Sequence, residues 1–217
     1  MSIQRQTLRM QIKQEVLRRL INGEFGLGDD VNEVQLAAEL GVSRTPLREA
    51  LIALENERVT ESRLGKGFRW APVSVSEFVE LTAIIAALEA LAVESTPLDH
   101  LRAIAPELII QADSYGAPAE HHASIIEYDD AWHGLLIAGC PNGRLLNLVA
   151  TLKVALRRYE AMLGGDDATL ATSASEHRRI AESLQRGDVA SAVAELKPNW
   201  TNGIERVLEA MRAAEER

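Results

Sequence analysis

Apolar residues return at helical spacing from the start of the chain: Leu8, Ile12, Val16, Leu17, Leu20 and Ile21 form one stripe that stops at Asn22-Gly23. A turn, Gly26-Leu27-Gly28-Asp29, leads to Asn32, which can cap a second helix with Gln35 answering three positions on; Leu36, Ala37 and Leu40 are its buried side. Only Gly41 and Val42 then precede Ser43, the cap of a third helix predicted from Arg44 to about Glu57. Pro46 falls in its first turn, where backbone amides have no intrahelical acceptor. The pattern next shortens to strand-like runs, Val59 to Arg63 and Phe68 to Ala71, around Leu64-Gly65-Lys66-Gly67, which reads as a β-hairpin closed by Pro72.

Beyond Ser74 every segment is helical in pattern, over roughly 76–94, 98–113, 119–138, 142–163, 174–186 and 188–214. Pro97, Gly116-Ala117-Pro118, Gly139-Cys140-Pro141, Gly164-Gly165 and Gly187-Asp188 separate them. The expected fold is mainly α, in two domains. Residues 1–72 form a winged helix-turn-helix of three helices plus a hairpin, and residues 73–217 form an all-helical bundle.

Composition sharpens this. Of the 217 residues 47% are hydrophobic and 25% charged, enough apolar material for real cores. The single cysteine, Cys140, cannot form an internal disulfide, the first residues lack a secretory apolar core, and no apolar run reaches bilayer length, so a cytoplasmic protein is expected. The net charge of -9 would disfavour DNA if evenly spread. It is not: residues 1–71 hold 11 Lys+Arg against 10 Asp+Glu, and the remainder 12 against 22.

In the third helix Leu47, Leu51 and Leu54 share one side, while Arg44 and Arg48 stand one turn apart on another beside Thr45. Free amides and hydroxyls at such a helix start grip phosphate, and Arg can bridge guanine O6 and N7. Lys66 between Gly65 and Gly67 makes a small cationic hairpin tip suited to a minor groove or a phosphate run, with Arg63 and Arg69 beside it. Taken singly, the arginines could be a solvated face; capped helix, short turn, basic helix and Gly-Lys-Gly hairpin in this order point to DNA. The run VNEVQLAAELGVSRTPLREALIALENE followed by LGKGF resembles the winged helix-turn-helix of GntR-family bacterial regulators. The resemblance covers residues 7–71 and implies Ser43, Arg44, Thr45, Arg48, Gly65, Lys66 and Gly67 as DNA contacts. It departs at Arg58-Val59, where the family usually has a glycine before the apolar residue.

In the bundle Asp129 and His133 stand one helical turn apart, and His177 follows Glu176 on another helix. Carboxylate plus imidazole suits zinc, nickel or manganese; the plainer reading is a hydrogen-bonded Asp-His pair, and spacing alone does not choose between them. The pattern from Tyr128-Asp129-Asp130-Ala131-Trp132-His133 through Asn142 to Glu176-His177 and Gly187-Asp188 resembles the FadR-like C-terminal domain, FCD, of the same regulators. Many members hold a metal through an aspartate and three histidines, which implies Asp129, His133 and His177 here, with Asn199 in the place of the last histidine. Ile85 stands near where relatives carry an arginine before the pair seen as Leu88-Glu89.

Arg157 and Arg158 are candidate partners of an anionic effector in the bundle cavity, although an exposed helix face explains them equally well. His121 and His122 read as solvated, Trp132 and Trp200 as core, and Cys140 carries no role. The expected protein is a homodimeric transcription factor on a palindromic double-stranded operator, answering to a small organic acid. A metal-dependent enzyme on the bundle and a winged helix used for protein contacts alone are the alternatives. Against the enzyme stands the lack of any HExxH, P-loop, dinucleotide or GxSxG pattern.

Overall fold

The structure is a computed structural model and describes residues 7–115, 122–160 and 167–215. The Gly116-Ala117-Pro118 and Gly164-Gly165 breaks and His121 lie outside the described residues, and the side chain of His122 is likewise outside them. The chain forms two compact units: Met1–Ser74 with Lys153–Met162, and Val75–Leu152 with Leu163–Arg217.

In the first unit, α1 (Leu8–Ile21), α2 (Glu33–Glu39) and α3 (Arg44–Asn56) precede an antiparallel hairpin of β1 (Thr60–Arg63) and β2 (Gly67–Trp70). Most of the predicted stripes are buried: Ile12, Val16 and Leu20 from α1, Leu36 from α2, and Leu47, Leu51 and Leu54 from α3 enclose Phe68 and Trp70 of the hairpin, while Leu8 at the start of α1 is exposed and Leu17, Ile21 and Leu40 are half-buried. Leu47, Leu51 and Leu54 are fully buried, and each contributes roughly 1.5–3 kcal/mol by leaving water. Asn32 caps α2 as expected, its Oδ1 accepting the Gln35 amide at 3.1 Å. Arg18 and Arg19 hold Glu15, and the Arg18 guanidinium keeps that carboxyl down at about 2. Arg19 also reaches Glu39 at 2.7 Å, tying α1 to α2. Thr60 Oγ1 donates to the Leu51 carbonyl at 2.8 Å and anchors β1 to α3.

Arg58, at the turn into the hairpin, has φ 61. That left-handed conformation explains why a glycine is the usual residue there: a Cβ pays a steric cost in this region that glycine does not.

The second unit holds α4 (Val75–Ser95), α5 (Leu98–Tyr115), α6 (His122–Ile137), α8 (Asp167–Arg186), α9 (Val189–Glu215) and the first half of α7 (Gly143–Glu160). The expected six helices are present, with one marked shift of boundary: α8 begins at Asp167 rather than 174. Its first residues, Asp-Ala-Thr-Leu-Ala-Thr-Ser, carry no regular apolar stripe, so pattern alone gave no helix there. α9 runs through Pro198 as one helix. Among the described residues no helix is long and apolar enough to cross a membrane.

Candidate DNA-reading face and metal-ligand cluster

Ser43 occupies the N-cap of α3 with extended backbone, yet its hydroxyl makes no capping bond, so the amides opening this helix have no side-chain cap. Arg44 and Arg48 project from the next turns with side chains 58% and 50% exposed. The wing lies across from them, and one concave surface is lined by Glu33, Arg44, Arg48, Ser62, Arg63, Lys66 and Phe68 with the glycines at 65 and 67. The Arg48 guanidinium stands 5.7 Å over the Phe68 ring, a cation–π contact that pins the recognition helix to the wing. The Ser62 amide donates to Glu55 at 2.7 Å from the other direction, and hydrogen bonding from Ser62 holds the Glu55 carboxyl below its ordinary value.

The cations of the wing differ in how they are engaged. Arg63 pairs with Asp30 and Arg69 with Glu61, each at 2.6 Å. Lys66 has no ion-pair partner among the described residues and stands at the exposed tip. Thr45 is exposed beside Arg44. The structure thus brings Ser43, Arg44, Thr45, Arg48 and the Gly65-Lys66-Gly67 tip to one side of the first unit, and adds a residue that the sequence did not single out. Glu33 is buried at the foot of the groove, within 3.8 Å of Arg44 and 3.6 Å of Arg48.

In the second unit Asp129, His133 and His177 converge, with one ligand atom from each inside 4.8 Å of the others. Asp129 is 3.9 Å from His133 Nε2 and 3.6 Å from His177 Nε2. Ligands on a tetrahedral ion with bonds of ~2.1 Å stand roughly 3.4 Å apart, so these separations are near what a shared metal needs. His133 Nδ1 lies 2.7 Å from Glu89 Oε2, which also accepts the Trp200 indole N–H at 2.8 Å. A carboxylate on Nδ1 fixes the tautomer whose Nε2 lone pair faces the cluster, the usual support of a metal-ligating histidine. Trp132 stacks on His177 with ring centroids 3.9 Å apart and donates to the Leu108 carbonyl, so it both packs the core and sets the imidazole plane.

Asn199 is buried and its amide donates to Glu176 at 2.9 Å; Asn202 donates to the other oxygen of that carboxylate. Arg157 and Arg158 lie in the last turn of α7, which belongs to the first unit. The buried Arg158 guanidinium donates to the Pro72 carbonyl at 2.6 Å and Tyr159 bonds the Ser74 backbone. Arg158 is therefore not on an exposed helix face, and part of its guanidinium is engaged by the backbone at Pro72. Cys140 is buried. The sequence missed Glu89, although a lone carboxylate inside the apolar run Leu81–Val93 was a signal of a buried polar partner.

Residues 8–69 match bacterial regulatory proteins of the gntR family, and residues 80–200 match the FCD domain. A probable D-xylose utilization operon transcriptional repressor of Paenarthrobacter nicotinovorans is 28% identical over 185 residues, covering 85% of this chain and 81% of that one. The HTH-type transcriptional regulator YdhC of Bacillus subtilis is 25% identical over 211 residues, covering 95% and 94%. The structure of E. coli McbR/YncC shares the fold, with a TM-score of 0.78 at 21% identity over 94% of this chain and 99% of that one. The two sequence relatives are named as transcriptional regulators. The chain belongs to the GntR family of bacterial transcriptional regulators, with an FCD domain following its winged helix-turn-helix.

Proposed function

We propose that the regulator reads a palindromic double-stranded operator as a homodimer, with residues 1–72 as its reading head and residues 73–217 as its effector-binding and dimerisation domain. Arg44, Thr45 and Arg48 face base edges in the major groove, and Ser43 with the free amides of α3 holds a phosphate. The Gly65-Lys66-Gly67 tip lies on the neighbouring backbone or minor groove. The observation that carries this reading is the exposure of Arg44 and Arg48 on one side of a helix whose other side, Leu47, Leu51 and Leu54, is fully buried.

The donor set of the second unit fits a divalent transition metal such as zinc, nickel or manganese, on the spacing of its ligand atoms and on the Glu89-oriented His133. Asp129, His133 and His177 would hold it, and a bound metal supplies Lewis-acid attraction for the carboxylate of a small organic acid. Asn199, which stands where the family's last histidine is expected, commits its amide to Glu176. The buried Trp132 keeps water from the imidazole face of His177.

Arg44→Ala tests the reading head. On an operator selected from random duplexes, the variant loses about 10-fold to 100-fold in affinity, the cost of one bidentate base contact, with thermal melting unchanged. Unaltered affinity would remove Arg44 from the assigned face.

A further inference from the structure

Glu33 is an unexpected residue to find in a groove meant for DNA. It opens α2, its side chain is 8% exposed, and it lies under the two arginines of the recognition helix. Its Oε2 stands 3.8 Å from Arg44 and 3.6 Å from Arg48. Both separations exceed the hydrogen-bond range of about 3.2 Å, so the carboxylate attracts the guanidiniums without consuming their N–H donors. Among the described residues that oxygen accepts no hydrogen bond at all, although it is buried. The other oxygen faces the wing: a Cβ at Gly67, which has φ 80, would sit 2.8 Å from Glu33 Oε1. A side chain at residue 67 would displace this carboxylate and would sit at a φ that L-residues rarely adopt.

We propose that Glu33 is a specificity-determining residue of the DNA-reading face, a buried carboxylate that orients Arg44 and Arg48 toward base edges and repels phosphate from the groove floor. The proposal rests on the assignment of this face to DNA. Two effects favour base readout over backbone binding. Attraction from below holds both guanidiniums on one side while their outward donors stay available. The same negative charge opposes a phosphate oxygen settling between α3 and the wing, a repulsive element of the kind by which specific binders reject the wrong partner. Phosphate contacts carry no sequence information, so suppressing one raises the ratio of specific to non-specific affinity.

The test uses the full chain and a pool of random-sequence duplexes, from which the parent selects a preferred sequence; affinities for that sequence and for the unselected pool are then compared over a salt series. Glu33→Gln keeps the shape and removes the charge. Its affinity for the unselected pool rises, its preference for the selected sequence falls about 10-fold, and the slope of log affinity against log salt steepens by about one, as one further phosphate is engaged. Glu33→Asp keeps the charge and retains the parental slope, which supports the electrostatic role even where the Gln variant folds poorly. An unchanged preference and slope in Glu33→Gln would overturn the proposal. So would an equal fall in both affinities with a lowered melting temperature, which marks a purely structural residue, or a changed slope in Glu33→Asp. A parent that binds neither pool refutes the DNA-reading assignment itself, a result distinct from failure of Glu33 alone.

Discussion

The two units place charge in opposite ways. In the first, the residues assigned to function are exposed: Arg44 and Arg48 stand half out of a helix whose core side is purely apolar. In the second, His133, His177 and Glu89 are buried, with 2%, 0% and 0% exposure. An exposed reading group is held by its helix and makes its bonds with DNA, so its loss costs recognition and leaves the fold. A buried ligand group is part of the core, so its loss costs both. On the proposed function, occupancy of this site couples to the stability of the bundle, which is what a sensing domain requires of a ligand that prefers one state.

Glu89→Ala attacks that coupling most directly and has the largest expected effect. The change strands His133 Nδ1 and the Trp200 indole N–H without their shared acceptor, each in a buried or half-buried position. Unsatisfied buried donors cost about 1–3 kcal/mol each, so the bundle should lose on the order of 3 kcal/mol in denaturant unfolding. With His133 no longer oriented, metal affinity should fall about 10-fold to 100-fold when purified parent and variant are compared by elemental analysis after equal dialysis. A variant as stable as the parent would show that the carboxylate is not part of the core network. A bundle destabilised with undiminished metal retention would separate stability from ligand orientation.

The same contrast explains what the sequence revealed. The three helices, the hairpin and Asn32 as a cap are local features, set by spacing and by residues three or four positions apart, and the structure has them. Asp129 and His133 were visible for the same reason, being one turn apart. Glu89 and Glu176 were not, since their partners are brought to them by packing of separate helices: His133 lies 44 positions from Glu89, and Asn199 lies 23 from Glu176. Glu33 is a first-turn acid of α2, and only the folding of α3 and the wing over it sets it apart. The early start of α8 escaped for the converse reason, since Thr and Ser at its first turns carry no stripe to read.

Lys66→Ala probes the exposed side of the comparison at its most exposed point. With no ion pair among the described residues, the ammonium contributes nothing to the hairpin that a methyl would remove, so unfolding stability should stay within about 0.5 kcal/mol. On the proposed reading head its role is charge alone. Affinity should fall several-fold and nearly equally for selected and random duplexes, and the salt slope should become shallower by about one. A loss confined to the selected sequence would instead place Lys66 among the residues that read bases.

Arg58→Gly gives the smallest effect and the reverse sign, because it concerns backbone geometry rather than a contact. Arg58 adopts φ 61, a conformation that costs an L-residue about 1–2 kcal/mol. Glycine removes that cost but returns about 0.4–1 kcal/mol of freedom to the unfolded chain. The difference leaves the first unit more stable by roughly 0.5–1 kcal/mol, read as a small rise in its melting temperature. DNA affinity should not move, since the turn precedes β1 and the Thr60–Leu51 bond still fixes the strand to the recognition helix. A fall in stability on Arg58→Gly would mean that the arginine makes a favourable interaction larger than the strain it carries, and a fall in affinity at constant stability would make the turn itself part of the reading face.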